Sequence, residues 1–178
     1  MAVLPLHLLG SPVLRQRSDE VEQVNDEVRA LVESMFATMD AAKGVGLAAN
    51  QIGIARRIAV IDADGHRIAL INPRIVNAEG RATAEEGCLS IPEVYADVTR
   101  PERVVLEALD AEGKPYQLEV DALAARAVQH EIDHLDGILF FDHLGPIKRK
   151  MLLARWKKDH RNDTTYIKEV TPAAAPSD

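Results

Sequence analysis

From residue 24 to residue 42 the apolar side chains Val24, Val28, Leu31, Val32, Met35 and Met39 recur at a 3.6-residue spacing, which predicts an amphipathic helix. Ser18-Asp19-Glu20 reads as its start signal. The period then shortens. Ile58-Ala59-Val60-Ile61 and Ile68-Ala69-Leu70-Ile71 flank Asp64-Gly65, predicting an antiparallel pair over 57–62 and 67–76. Further strands are predicted at 95–99, 103–110 and 115–120, with Asp110-Ala111-Glu112-Gly113 as a turn, whereas 85–92 reads as an irregular, glycine-permitted segment. Asp121 is a candidate N-cap for a second helix over 123–135, and Gly145-Pro146 opens a third that reaches roughly His160. Strands in runs with helices set apart predict an α+β fold, antiparallel sheets around a central helix, rather than an alternating α/β one.

A length of 178 residues suits one domain. The Pro- and Ala-rich end places its boundary near 165 and predicts a disordered tail over 166–178. Aromatics are only 4% of the chain, so the core has to be built from Val, Leu, Ile and Ala. A formal charge of −7 argues against a surface made for DNA. That charge is unevenly spread: Lys148 to Arg161 holds seven bases and one acid, leaving fourteen bases and twenty-seven acids elsewhere. Met1 to Leu6 lacks the basic and apolar regions of a secretion signal, and no apolar run approaches a membrane span of about 20 residues. The expectation is a cytoplasmic protein without membrane contact. The single cysteine, Cys88, excludes an intramolecular disulfide.

The chemistry concentrates in Gln129-His130-Glu131-Ile132-Asp133-His134. On a helix His130 and His134 lie one turn apart on one face, the spacing at which two imidazoles share a metal ion, and the adjoining Glu131 is placed to take a proton from a metal-activated water. A catalytic site needs a third protein ligand, and Cys88, in its glycine-flanked bend, is the candidate. Gly44 and Gly46 let the backbone bend or approach another chain closely, but they lack the third glycine of a dinucleotide loop and the GK[ST] of a phosphate loop.

Gly44-Val45-Gly46-Leu47-Ala48-Ala49-Asn50-Gln51, Glu86-Gly87-Cys88-Leu89-Ser90 and Gln129-His130-Glu131-Ile132-Asp133-His134 resemble the three signature segments of the bacterial peptide deformylases, in order and at similar separations, within a match from about Pro12 to Arg149. The resemblance implies a hydrolase that removes the formyl group of formyl-methionine from nascent peptides. Cys88, His130 and His134 would be the metal ligands and Glu131 the general base. The Gln51 amide and the Leu89 N–H would donate to the formyl oxygen. The peptide would pair as an added strand with Gly44, Val45 and Gly46, and its methionine would enter a pocket walled by Val45 and Leu123. Glu86 would bind the substrate backbone or hold the bend. Arg126 stands where many relatives carry an apolar residue, and it is expected to line the pocket with its stem and contact substrate beyond the methionine. The ligand set suits Fe(II), Zn(II), Ni(II) or Co(II) alike, and the resemblance implies ferrous iron as the working ion. The basic stretch Lys148 to Arg161 would reach the ribosome near the nascent chain. Asp133 and Arg100 are expected to form an ion pair behind the ligands.

Two alternatives compete. A zincin-type peptidase takes its third ligand after the motif, where only His143 and His160 are at hand. An inactive metal-binding module would have no use for Glu131 or Gln51.

Overall fold

The structure, a computed structural model, describes residues 2–172. Strand β1 (Leu6–His7) and a 3-10 turn at Pro12–Arg15 precede helix α1 (Asp26–Ala41). The start of α1 is set by Asn25, whose side chain accepts from the Val28 N–H at 3.0 Å. Ser18, expected at this start, is instead buried well upstream, and Asp19 forms a parallel bridge with Arg56.

Next come β2 (Gly46–Ala48), a 3-10 turn at Ala49–Ile52, β3 (Ile58–Ala63) and β4 (His66–Glu79). Asp64 and Gly65 join β3 to β4 at φ of 52° and 81°, the mirror-image turn that suits a twisted hairpin. They are followed by β5 (Ala82–Cys88), β6 (Ile91–Arg100), β7 (Arg103–Leu109), β8 (Pro115–Asp121) and helix α2 (Ala122–Leu135). A 3-10 turn at Phe140–His143, helix α3 (Pro146–Asp159) and β9 (Ile167–Lys168) complete the order. The main sheet runs β2-β3-β4-β7-β8, all antiparallel, beside the hairpin β5-β6 and the short pair β1-β9. Among the described residues no helix is long and apolar enough to cross a membrane.

Strand β3 is covered on both faces, which is why its apolar run does not alternate. Ala59, Ile61 and Ala63 face the cluster that contains the apolar side of α2, while Ile58 and Val60 join Val28, Val32, Met35 and Met39 of α1. Ala124, Ala125 and Ala127 keep the α2 contact with the sheet thin, and Val128, Ile132 and Leu135 fill what remains. A third cluster packs Ile91 and Val98 against Phe140, Phe141 and Trp156 of α3.

Two expectations change. The segment 85–92 is not irregular; it belongs to the β5-β6 ladder. Its glycine and proline mark a bulge instead of an end: Glu86 opposes Ala96 and Cys88 opposes Ile91, so that Gly87 on one strand and 92–95 on the other stand out of register. Asp121 occupies the N-cap position of α2 but makes no capping bond with its side chain. Asp64, from the β3-β4 turn, accepts from the Ala124 N–H at 2.9 Å in its place.

The expected boundary near 165 also meets a difference. Residues 166–172 run against the body, with Leu6 opposite Lys168 and His7 opposite Ile167, because Val170 has apolar cover in the α1 cluster. The expectation for 173–178 lies outside the described residues.

Candidate active site

Helix α2 turns its alanine face to the sheet and therefore presents His130 and His134 together to the β5-β6 hairpin. The two rings lie 4.9 Å apart between centroids, with Nε2 to Nε2 at 3.1 Å. The bulge after Glu86 brings Cys88 in from the hairpin, and its Sγ stands 3.3 Å from His134 Nε2. Ligand atoms of Cys88, His130 and His134 all lie within 4.8 Å of one another. Ligands bound at about 2.0–2.3 Å around a tetrahedral ion are separated from each other by roughly 3.3–3.6 Å, so the two Nε2 atoms and the sulfur fit one ion with little movement.

His130 is held from behind. Its Nδ1 donates to Glu86 Oε1 at 3.0 Å, which fixes the ring and leaves Nε2 toward the cluster. Glu86 is itself buried and receives Arg100 Nε at 2.6 Å, Arg100 Nη2 at 2.9 Å and Arg126 Nη1 at 2.6 Å. Burial works against a charged Glu86, but the bonds from His130 and Arg100 outweigh it and hold the carboxyl well below the usual carboxylate range. Arg100 also reaches Asp133 at 2.9 Å, the pair expected from the sequence, and His143 Nε2 meets the same carboxylate at 2.7 Å. Glu86 is thus tied to His130 and two arginines. The guanidinium of Arg126 is likewise occupied, by Glu86 and by the carbonyls of Val98 and Ala82 at 2.9 and 3.0 Å, which leaves its stem to the cavity wall.

Glu131 is 3% exposed, and its Oε2 has no hydrogen-bond partner among the described residues. Burial pushes its pKa up to about 7, against the pull of His130 and Arg100. The same burial, together with the neighbouring His130, lowers that of His134. A buried carboxylate oxygen without a protein partner, beside two imidazoles and on the cavity wall, is placed to receive a bond from a small polar group in that cavity.

Gln51 is fixed at both ends of its amide. Oε1 accepts from the Ala48 N–H at 2.9 Å, and Nε2 donates to Ser90 Oγ at 3.1 Å and lies 3.5 Å from Cys88 Sγ. One amide hydrogen is therefore engaged by Ser90, and the other is directed toward the Cys88 side of the site. Leu89, next to Cys88, contributes its side chain to the apolar cluster of α1 and lines the cavity.

These groups lie in one cavity of about 650 Å³, large enough for a drug-sized molecule. Gly44, Val45, Gly46, Gln51, Glu86, Cys88, Leu89, Leu123, Arg126, His130 and Glu131, all expected at the site, line it; His134 reaches the cluster from behind. Val45 and Leu123 are each 45% exposed, two apolar side chains left open to this space. Strand β2 is an edge of the main sheet, with its outer side unpaired among the described residues.

Sequence reasoning leaves three supporting residues unassigned. Ser90, fully buried, anchors Gln51; Asn50 Nδ2 donates to the His134 carbonyl at 2.5 Å; His143 backs Asp133. Asn50 and Ser90 are polar residues inside otherwise small or apolar stretches, which is the signal that could have found them. His143 lies nine residues after His134, and nothing in its spacing marks it.

Comparison with known proteins adds an independent observation. Residues 3–150 match the family described as Polypeptide deformylase. The chain is 48% identical to a peptide deformylase of Alkalilimnicola ehrlichii over 89% of its own length and 91% of the relative's, and 48% identical to one of Brucella suis over 89% and 94%. Among solved structures, the peptide deformylase of Legionella pneumophila superposes with a TM-score of 0.84 at 42% identity, covering 90% and 96%. That of Ehrlichia chaffeensis in complex with actinonin gives 0.85 at 36% identity, covering 91% and 100%.

Proposed function

The chain belongs to the peptide deformylase family, metal-dependent hydrolases that release the formyl group of formyl-methionyl peptides as formate, and we propose that Cys88, His130 and His134 hold the ion at which this happens while Glu131 moves the proton. One observation carries the assignment of roles: Cys88, His130, Glu131 and Gln51 line a single cavity that runs beside the unpaired edge of β2.

Cys88, His130 and His134 would hold a divalent ion, which when bound would supply Lewis acidity to the formyl carbonyl and lower the pKa of a water toward neutrality. The protein supplies the rest. An extended peptide adds to the edge at Gly44 to Gly46, which aligns its formyl end with the cluster and its methionine side chain with Val45, Leu123 and Ala127. Glu131 accepts a proton from the attacking water and passes it to the amine as the carbon–nitrogen bond breaks, so formate and a free methionyl amine leave together. Charge develops on the formyl oxygen in that step, and the Gln51 amide and the Leu89 N–H donate to it. Glu86 keeps His130 in register through Nδ1. Gln51 and His130 are already held by their hydrogen bonds, which lowers the reorganisation needed during reaction.

Ferrous iron is the working ion in this reading, with Zn(II), Ni(II) and Co(II) accepted by the same thiolate and imidazoles. The substrate is made at the ribosome, which places the enzyme in the cytoplasm. Helix α3 is the surface for that encounter: Lys148, Lys150, Arg155, Lys157 and Lys158 are exposed around it, while Trp156 pins it to the body.

Protein loaded anaerobically with Fe(II) or Ni(II) is expected to release formate from formyl-Met-Ala-Ser, and the metal-free protein is not. A fully metallated protein that leaves this peptide intact would reduce the site to a metal-binding module.

A further inference from the structure

The cavity wall includes residues outside the signature segments: Leu6 and Ala42, and the run from Lys168 to Thr171. This last stretch follows the basic helix, yet it is led back to the groove by specific contacts. The Leu8 N–H donates to the Tyr166 carbonyl at 2.7 Å, and β9 then pairs with β1. The Tyr166 ring covers Gly10, at φ 111°, so closely that an added β-carbon there would stand 2.5 Å from it. Val170 enters the apolar cluster that also contains Leu6, Ala42 and Leu89, and Lys168, Glu169 and Thr171 remain exposed beside it. At about 650 Å³ the cavity has room for more than a formyl group and one methionine side chain.

We infer that residues 166–171 form a strap that builds the distal part of the peptide groove, and that Val170 contacts the residues following methionine in the substrate. The inference rests on the deformylase reading and extends it to specificity. An extended peptide advances about 3.3 Å per residue, so side chains beyond the methionine leave the metal cluster behind and need a separate wall. The strap supplies one, held by a two-residue strand pair and one aromatic ring and set apart from the helix that carries the chemistry.

The test compares kcat/KM for formyl-Met amide and formyl-Met-Leu-Leu in the full chain, in Val170→Asp, in Val170→Ile and in a chain ending after Thr165. In Val170→Asp and in the shortened chain the loss on formyl-Met-Leu-Leu exceeds the loss on formyl-Met amide by about tenfold, mainly through KM, the scale of deleting one small apolar group from a binding pocket. Val170→Ile, which keeps an apolar wall, retains the parent's ratio of the two substrates, which Val170→Asp loses. If the shortened chain does not fold, Val170→Asp decides alone, with its metal content and melting temperature measured alongside. A ratio of the two substrates that no variant moves overturns the strap while leaving the deformylase reading intact. Failure of the metallated parent to release formate from formyl-Met amide overturns both.

Discussion

Gly46 and Glu131 touch: a β-carbon at position 46 would lie 2.6 Å from Oε1 of Glu131 and 3.0 Å from its carboxyl carbon. The edge strand proposed to receive the peptide therefore also forms one wall of the proposed base's niche. Gly46→Ala is expected to displace the carboxylate and lower kcat by about tenfold to a hundredfold, the range for a small misplacement at a reacting centre. Because residue 46 is not a ligand, bound metal stays at one equivalent, which atomic absorption on the purified variant checks.

Glu86 is proposed to act through His130. Its carboxylate is buried with Arg100 and accepts from the ring nitrogen that does not face the cluster. Glu86→Gln keeps the shape but removes the charge, leaving buried Arg100 and half-buried Arg126 less well matched. Metal affinity should fall about 10- to 100-fold, the usual effect of losing a histidine's supporting carboxylate, as measured by competition with a chelator.

Much of this is legible in the sequence, for reasons that can be named. His130 and His134 stand out because helical spacing converts directly into a shared face, and β3 and β4 because Asp64-Gly65 accepts only one kind of turn. The start of α1 is harder to place, because Ser18-Asp19-Glu20 has cap chemistry and only the packing of Val28 against the sheet selects Asn25 instead. The cap of α2 cannot be read locally at all, since Asp64 lies 60 positions from Ala124 in the chain. Arg126 reads as a substrate contact from sequence because its acceptors, the carbonyls of Ala82 and Val98, belong to a hairpin that sequence alone shows as partly irregular.

Helix α3 carries its charge outward. Lys150→Glu with Lys158→Glu leaves Trp156 in place, so hydrolysis of short formyl-peptides continues, while sedimentation with ribosomes weakens. The parent's own binding should fall steeply between about 50 and 200 mM salt. Equal sedimentation of the double variant and the parent would remove α3 from the encounter.

Asp142 gives a pH signature outside the active site. Burial raises its pKa, but the bonds from Arg15 at 2.6 Å and from the Leu139 N–H at 3.0 Å dominate and set it below the ordinary carboxylate value. A carboxyl whose pKa is lower in the folded than in the unfolded chain stabilises above the unfolded value and stops doing so as pH falls through the folded one. Asp142→Asn should therefore cost about 1 kcal/mol near neutrality, modest because Arg15 is partly exposed. The gap between variant and parent in urea denaturation closes as pH drops below about 4.

The central claim is that Glu131 moves the proton while Cys88, His130 and His134 hold the ion. Its most direct test is formate release from formyl-Met-Ala-Ser by Glu131→Gln, carrying one equivalent of Fe(II) or Ni(II) and assayed anaerobically beside the parent. Loss of a positioned general base predicts a kcat lower by roughly 10²- to 10⁴-fold with metal retained. A fully metallated Glu131→Gln whose kcat stays within a few-fold of the parent would contradict the account.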